Sequence, residues 1–98
     1  MQSQDTRQAY QQKVQAQLEK VNAQIEEYKA KAAQVEADSK VKYHSTIEEL
    51  TTQRDALQAK FQEFQAASDA AWTEIQQGLD KALEEVGFAF DNALKKFQ

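Results

Sequence analysis

His44 is the one histidine in the chain, and no cysteine accompanies it. A metal centre needs several ligands at spacings that let them converge, so a lone His defines no metal site. Standing beside Ser45 and Thr46 among soluble residues, His44 reads as a surface side chain. Carboxylates come in adjacent pairs, Glu26-Glu27, Glu48-Glu49 and Glu84-Glu85. Neighbours on a helix point about 100° apart, so these pairs are no acid–base dyads. Glu27 with Lys31 and Glu36 with Lys40 are instead spaced for ion pairs along a solvated face. There is no phosphate-cradling glycine loop and no nucleophile elbow around a serine. A thin helical rod also offers little concave volume from which to exclude water. The expectation is a non-enzyme with no catalytic residue, no cofactor, no metal and no small-molecule substrate.

The elements that carry these residues are helical. Of the 98 residues 41% are hydrophobic, but sixteen of those are Ala, and Gln is as frequent as Ala. Ala, Gln, Glu, Lys and Leu are good helix formers. Pro is absent and Gly occurs only at 78 and 87, so the strongest helix punctuators are missing. The composition therefore predicts an all-α chain, elongated, in one domain over residues 1–98. Net charge is −4, with basic residues scattered singly or in twos. Nucleic acid needs a clustered cationic footprint, so it is not an expected partner. The opening MQSQDTRQAY has no apolar stretch and does not read as a secretory leader. No run approaches the ~20 apolar residues of a spanning helix. The expected location is cytoplasmic, with peripheral membrane contact as the alternative.

Apolar periodicity divides the chain into three helical segments, about 5–37, 46–66 and 70–97. In the first, Asp5 stands three residues before Gln8, as in a capping box. Val14, Leu18, Val21, Ile25, Tyr28, Ala32 and Val35 then alternate at steps of four and three, a heptad seam. In the second, Ile47, Leu50, Arg54, Leu57, Phe61 and Phe64 alternate at three and four. The step from Val35 to Ile47 is one residue longer than an unbroken heptad pattern allows. One residue rotates the stripe by about 100°, which marks a turn or an over-wound stretch. Ser45 with Glu48, and Thr46 with Glu49, match capping boxes for a restart, yet no Gly, Pro or Asn marks a stop. A turn and one continuous helix both stay open at residues 37–46. At the second boundary, Ser68 or Asp69 can cap a helix that begins near Ala70.

The last segment repeats every eleven residues: AWTEIQQGLDK, ALEEVGFAFDN, ALKKFQ. Ala71, Ala82 and Ala93 share one column, and Trp72, Leu83 and Leu94 the next. Ile75, Val86 and Phe97 share the fifth, Gly78 and Ala89 the eighth, Leu79 and Phe90 the ninth. Eleven residues make three turns, so the columns cover an arc of about 120°, the width of a core-facing stripe. One edge of it is all Ala or Gly and the other all large, which lets one neighbouring backbone approach closely while bulk fills the remaining space. Two uses are open: burial against the first two segments, or contact with a membrane surface. Trp, Phe and Leu suit a lipid face, but five acidic residues against three lysines do not. Trp72 is expected as a core anchor beside a helix junction. Phe88 falls outside the stripe. Arg54, on the second seam, is either a snorkelling stem or half of an inter-chain ion pair.

The segments DTRQAYQQKVQAQL at 5–18, EADSKVKYHSTIEEL at 36–50 and ASDAAWTEIQQGLDKAL at 67–83, with the closing Lys96-Phe97, carry a resemblance over nearly the whole chain. They resemble a family of small coiled-coil proteins of cyanobacteria and proteobacteria associated with stress response. Leu83 and Ser68 depart from that family, which often has Trp and Gly there. The resemblance implies a non-enzymatic, stress-associated role, through protein or membrane surfaces. Self-association is the further expectation. A continuous first helix of about 60 residues would reach about 90 Å, and a second chain would have to cover its seam.

Overall fold

The computed structural model describes the backbone of residues 2–97 and the side chains of residues 5–96. These residues form three α-helices, α1 (Gln2–Ala32), α2 (Ala37–Ala66) and α3 (Trp72–Phe97). They run up, down and up in an elongated bundle measuring 54 × 20 × 17 Å. No strand occurs among the described residues.

The continuous-helix alternative is overturned, because residues 33–36 turn. The break comes well before the expected restart at 46. The second seam extends back from Ile47 to the half-buried Tyr43, four residues earlier, so the periodicity of α2 begins N-terminal to its first obvious apolar residue. Ser45 and Thr46 are therefore not caps. They lie inside α2, and the Thr46 hydroxyl donates to the Lys42 carbonyl at 3.0 Å, one turn back. Glu36 takes the N-cap position instead, in an extended conformation, and its carbonyl accepts from Ser39 and Lys40. Val35 belongs to the turn rather than to the seam. Asp5 is not the first cap either, since α1 has already begun at Gln2; it adds its charge to the first turn, where the helix dipole favours an anion. The third helix starts at Trp72, two residues later than expected, with the Ser68 carbonyl accepting from Ala71 and Trp72.

Burial follows the three stripes. Val14, Leu18, Val21, Ile25, Tyr28 and Ala32 of α1 are inside, as are Ile47, Leu50, Leu57, Phe61 and Phe64 of α2. From α3, Trp72, Leu79, Val86, Ala89, Phe90 and Ala93 join them. Each large apolar side chain taken fully from water contributes roughly 1.5–3 kcal/mol, which sets against the ordering of a Gln-rich chain. Ile75 and Leu83 are half-buried against this core. The Phe97 side chain lies outside the described residues.

Leu94 departs from expectation. It is 49% exposed, while Ala93 beside it is 1% exposed. The cause is the mismatch between an eleven-residue repeat and a helix of 3.6 residues per turn. Each repeat over-rotates by about 20°. The column Trp72, Leu83, Leu94 accordingly passes from buried through half-buried to exposed, and the column Ala71, Ala82, Ala93 moves the other way.

The taper of the α3 stripe sets the helix spacing. Lys96 reaches Glu49 of α2 at 3.9 Å, which turns the small edge towards α2. Tyr10 of α1 reaches the Gln76 carbonyl at 3.4 Å, which turns the large edge towards α1. The backbones of α2 and α3 accordingly pack most extensively, those of α1 and α2 next, and α1 and α3 hardly approach each other. At Gly78 an added Cβ would meet nothing within 4 Å, so the close approach relies on the alanines.

The placement of the stripe has a measurable consequence. Leu79→Ala is expected to destabilise the fold by about 3 kcal/mol in urea denaturation followed by circular dichroism. Leu94→Ala is expected to change it by less than about 1 kcal/mol. Equal effects at the two positions would contradict the rotation of the repeat.

Candidate functional site

Two assemblies of side chains stand out, one at an end of the bundle and one along its side. At the end, Arg7 reaches from α1 across to the α2–α3 connection. Its guanidinium donates to the carbonyls of Phe64 at 3.1 Å and Ala67 at 2.6 Å, and to Asp69 at 3.1 Å. It also stands 5.6 Å over the Phe64 ring. The last carbonyls of a helix have no intrahelical donor, and a cation there also meets the negative end of the dipole. Arg7 thus caps α2 from another helix. Around it, Tyr10 packs on Phe64 at 5.2 Å and Trp72 meets Phe64 edge-on at 5.9 Å. The Tyr10 hydroxyl donates to Asp80 of α3. Burial pushes the Tyr10 phenol well above its ordinary range, and the Asp80 carboxylate adds to this through the hydrogen bond and its charge. No step of chemistry follows from these contacts: the cluster ties three helices together.

Along the side, α1 and α3 leave a groove. One cavity of about 200 Å³ lies between Gln17, Lys20, Val21 and Gln24 of α1 and Leu83, Val86, Gly87, Phe90 and Asp91 of α3. A second, of about 350 Å³, adjoins it and shares Gln17 and Leu83, adding Lys13, Asp80 and Glu84. The floor is apolar, with Val21, Val86 and Phe90 buried. The α1 rim carries Lys13 and Lys20, and the α3 rim carries Asp80, Glu84 and Asp91. Deeper in the bundle Tyr28 stacks on Phe90 at 6.2 Å, which keeps α1 and α3 joined beyond the groove. A third cavity, of about 330 Å³, opens beside the 33–36 turn, where Lys29, Lys40 and His44 surround Ala32, Ala33 and Ile47.

Most residues of the expected interaction face meet in the core rather than on a surface. Val14, Leu18, Val21, Ile25, Ile47, Leu50, Leu57, Phe61, Phe64, Trp72, Leu79, Val86 and Phe90 are all buried. Val21, Val86 and Phe90 form the groove floor, and the half-buried Leu83 lines both its cavities while resting on the core. Arg54 bridges helices within the chain, donating to Asn22 of α1 at 2.6 Å and to Asp55 at 2.8 Å. Glu27 and Lys31 pair at 3.4 Å as their spacing suggests. Phe88 and Val41 point outwards, 65% and 73% exposed. Arg7, Tyr10 and Asp80 are not among the residues singled out from the sequence. Tyr10 could have been found, since it stands four residues before Val14 and extends the first seam. Arg7 and Asp80 act across separations of 57 to 70 residues, and no local pattern announces that. Among the described residues no group of three or more His, Cys, Asp or Glu is placed to hold a metal ion.

Arg7→Ala is expected to lower stability by about 2–3 kcal/mol, because charge-assisted bonds to two helix-end carbonyls are lost together. Asp69→Ala removes only the solvent-facing partner, 78% exposed, and is expected to remain below about 1 kcal/mol. Chemical denaturation of both variants checks the order. For Tyr10 the sign follows from linkage. In the unfolded chain the phenol ionises near pH 10, whereas in the bundle it holds its proton to higher pH. Its contribution is complete below about pH 10 and is lost as pH rises beyond that. Urea midpoints at pH 8 and pH 10.5 are expected to fall less in Tyr10→Phe than in the parent. The raised Tyr28 phenol, also perturbed chiefly by burial, leaves a residual alkaline slope in both.

No protein-family model matches the chain, and no curated protein and no solved structure matches it either.

Proposed function

We propose that this chain is a non-enzymatic helical interaction protein that works through its helix faces and by self-association, in a stress-associated role. The carrying observation is the unequal closure of the bundle. α2 packs closely on both neighbours, while α1 and α3 stay apart over an apolar floor with charged rims. The reason for self-association has moved with the structure. The turn at 33–36 folds α2 back over the first seam, so that seam needs no second chain. The unfilled side is the one between α1 and α3. The stress association rests on the resemblance in segments 5–18, 36–50 and 67–83.

Peripheral membrane contact through α3 is a second reading, favoured by the continuity of its apolar stripe over 26 residues. Trp72, Leu79, Val86 and Phe90 are buried, so this reading requires the bundle to open along the loosely packed α1–α3 side. No helix among the described residues is long and apolar enough to cross a membrane.

Sedimentation equilibrium with and without liposomes of anionic and neutral lipid separates the readings. Self-association is expected to give a mass above 11.2 kDa in the absence of lipid. A chain that stays monomeric at high concentration, with Trp72 emission shifting only on liposomes, would favour the membrane reading instead.

A further inference from the structure

We infer that a second copy of this chain seats on the α1–α3 groove about a two-fold axis parallel to the helices, so that α1 of each copy lies along α3 of the other. The inference rests on the self-association reading and specifies its surface. Tyr10 stands level with Gln76 and Tyr28 with Phe90, so α1 and α3 run parallel and Lys20 stands level with Glu84. Rotation about an axis along the bundle keeps every residue at its own height and exchanges the sides. It therefore lays the lysine rim of one copy on the acidic rim of the other, twice, as a self-complementary interface requires. Within one chain, Lys13, Lys20, Glu84 and Asp91 form none of the ion pairs found among the described residues. Their charges are thus available to a facing surface.

Gly87 supports the same surface. It lies within α3 at the lip of the groove, where glycine costs roughly 1 kcal/mol against alanine. An added Cβ would meet nothing of its own chain within 4 Å, so no contact in the monomer accounts for the missing side chain. Gly78 is equally open but lies off the groove, so it is the position of Gly87, on the lip, that leaves room there for a neighbouring copy. The long face of the bundle, 54 Å by 20 Å, is also large enough for the ~800 Å² that each partner buries in a standard interface.

The test measures association by sedimentation for the parent and for Gly87→Arg, Lys20→Glu and Glu84→Lys, each checked for helicity. Gly78→Ala serves as the control away from the groove. The parent and the control are expected to dimerise alike. Gly87→Arg is expected to weaken dimerisation about 100-fold, by filling the lip. Each charge reversal places like charges opposite each other twice and is expected to weaken it about tenfold. Mixing Lys20→Glu with Glu84→Lys restores both contacts in trans, so a heterodimer of near-parental affinity is expected. Dimers of unchanged affinity in every variant would overturn this surface while leaving self-association standing. Loss in the single variants without recovery on mixing would overturn the two-fold pairing. A parent that stays monomeric throughout would overturn both the surface and the self-association reading.

Discussion

α3 has one apolar stripe and two neighbours to satisfy with it. A stripe of uniform bulk would hold both neighbours at the same distance. This one is tapered, with Ala89 and Ala93 on the side of α2 and Leu83 and Phe90 on the side of α1. Small side chains let backbones close up, and large ones keep them apart while filling the space between. The unequal packing of the three helix pairs is the direct result. Polar side chains could be exchanged over most of the surface without disturbing this, because the distances are set inside. The same taper decides where the molecule is finished and where it is not: the α2 side closes on alanine, and the α1 side is left with a furrow.

The ends of the helices pose a different constraint, since neither connection uses glycine or proline. Among the described residues none has a positive φ, so the left-handed helix stop is absent. Both connections turn through extended residues instead, Glu36 with ψ 162° and Ala67 with ψ 147°. Backbone N–H groups still reach helix-end carbonyls, Ala33 to Lys29 and Gln34 to Lys31 at the end of α1, and Ala67 to Phe64 at the end of α2. At the α2–α3 connection Arg7 adds donors from α1 to the carbonyls of Phe64 and Ala67, so tertiary contact reinforces the turn. That couples the start of α1 to the end of α2 and, through Tyr10 and Asp80, to α3. No side-chain nitrogen or oxygen buried in this arrangement lacks a partner among the described residues.

How much of this was legible in the sequence depends on the range of the interaction. Heptad steps from Val14 to Ala32 and from Ile47 to Phe64 read directly as buried faces, because period alone specifies them. The one-residue slip between them marked either a turn or an over-wound stretch and could not decide which. Only Tyr43, a tyrosine among lysines, shows that the second seam starts early. The capping boxes at Ser45 and Thr46 misled because Ser and Thr also bond back along a helix, as Thr46 does. The end cluster was out of reach in principle. Arg7 is one of many scattered cations, and its role appears only once residues sixty positions away are beside it. The groove was half-legible: a small and a large edge were visible in the repeat, but which helix would meet each edge was not.

The repeat also explains why the furrow lies where it does. Each eleven-residue step over-rotates a straight helix by about 20°, and the large column moves away from the α2 side as the helix ascends. Trp72, at the start, is still within the core beside Phe64. Leu83, one repeat on, has turned to the edge and lines both groove cavities. Leu94, a further repeat on, has turned out of the core altogether. Had the repeat been matched to the helix, all three would hold one angle around its axis. Had it been a strict heptad, the drift would run in the opposite sense and α3 would wrap left-handedly around its neighbours. The drift of the repeat thus places the partly covered Leu83 between the lysine rim and the acidic rim.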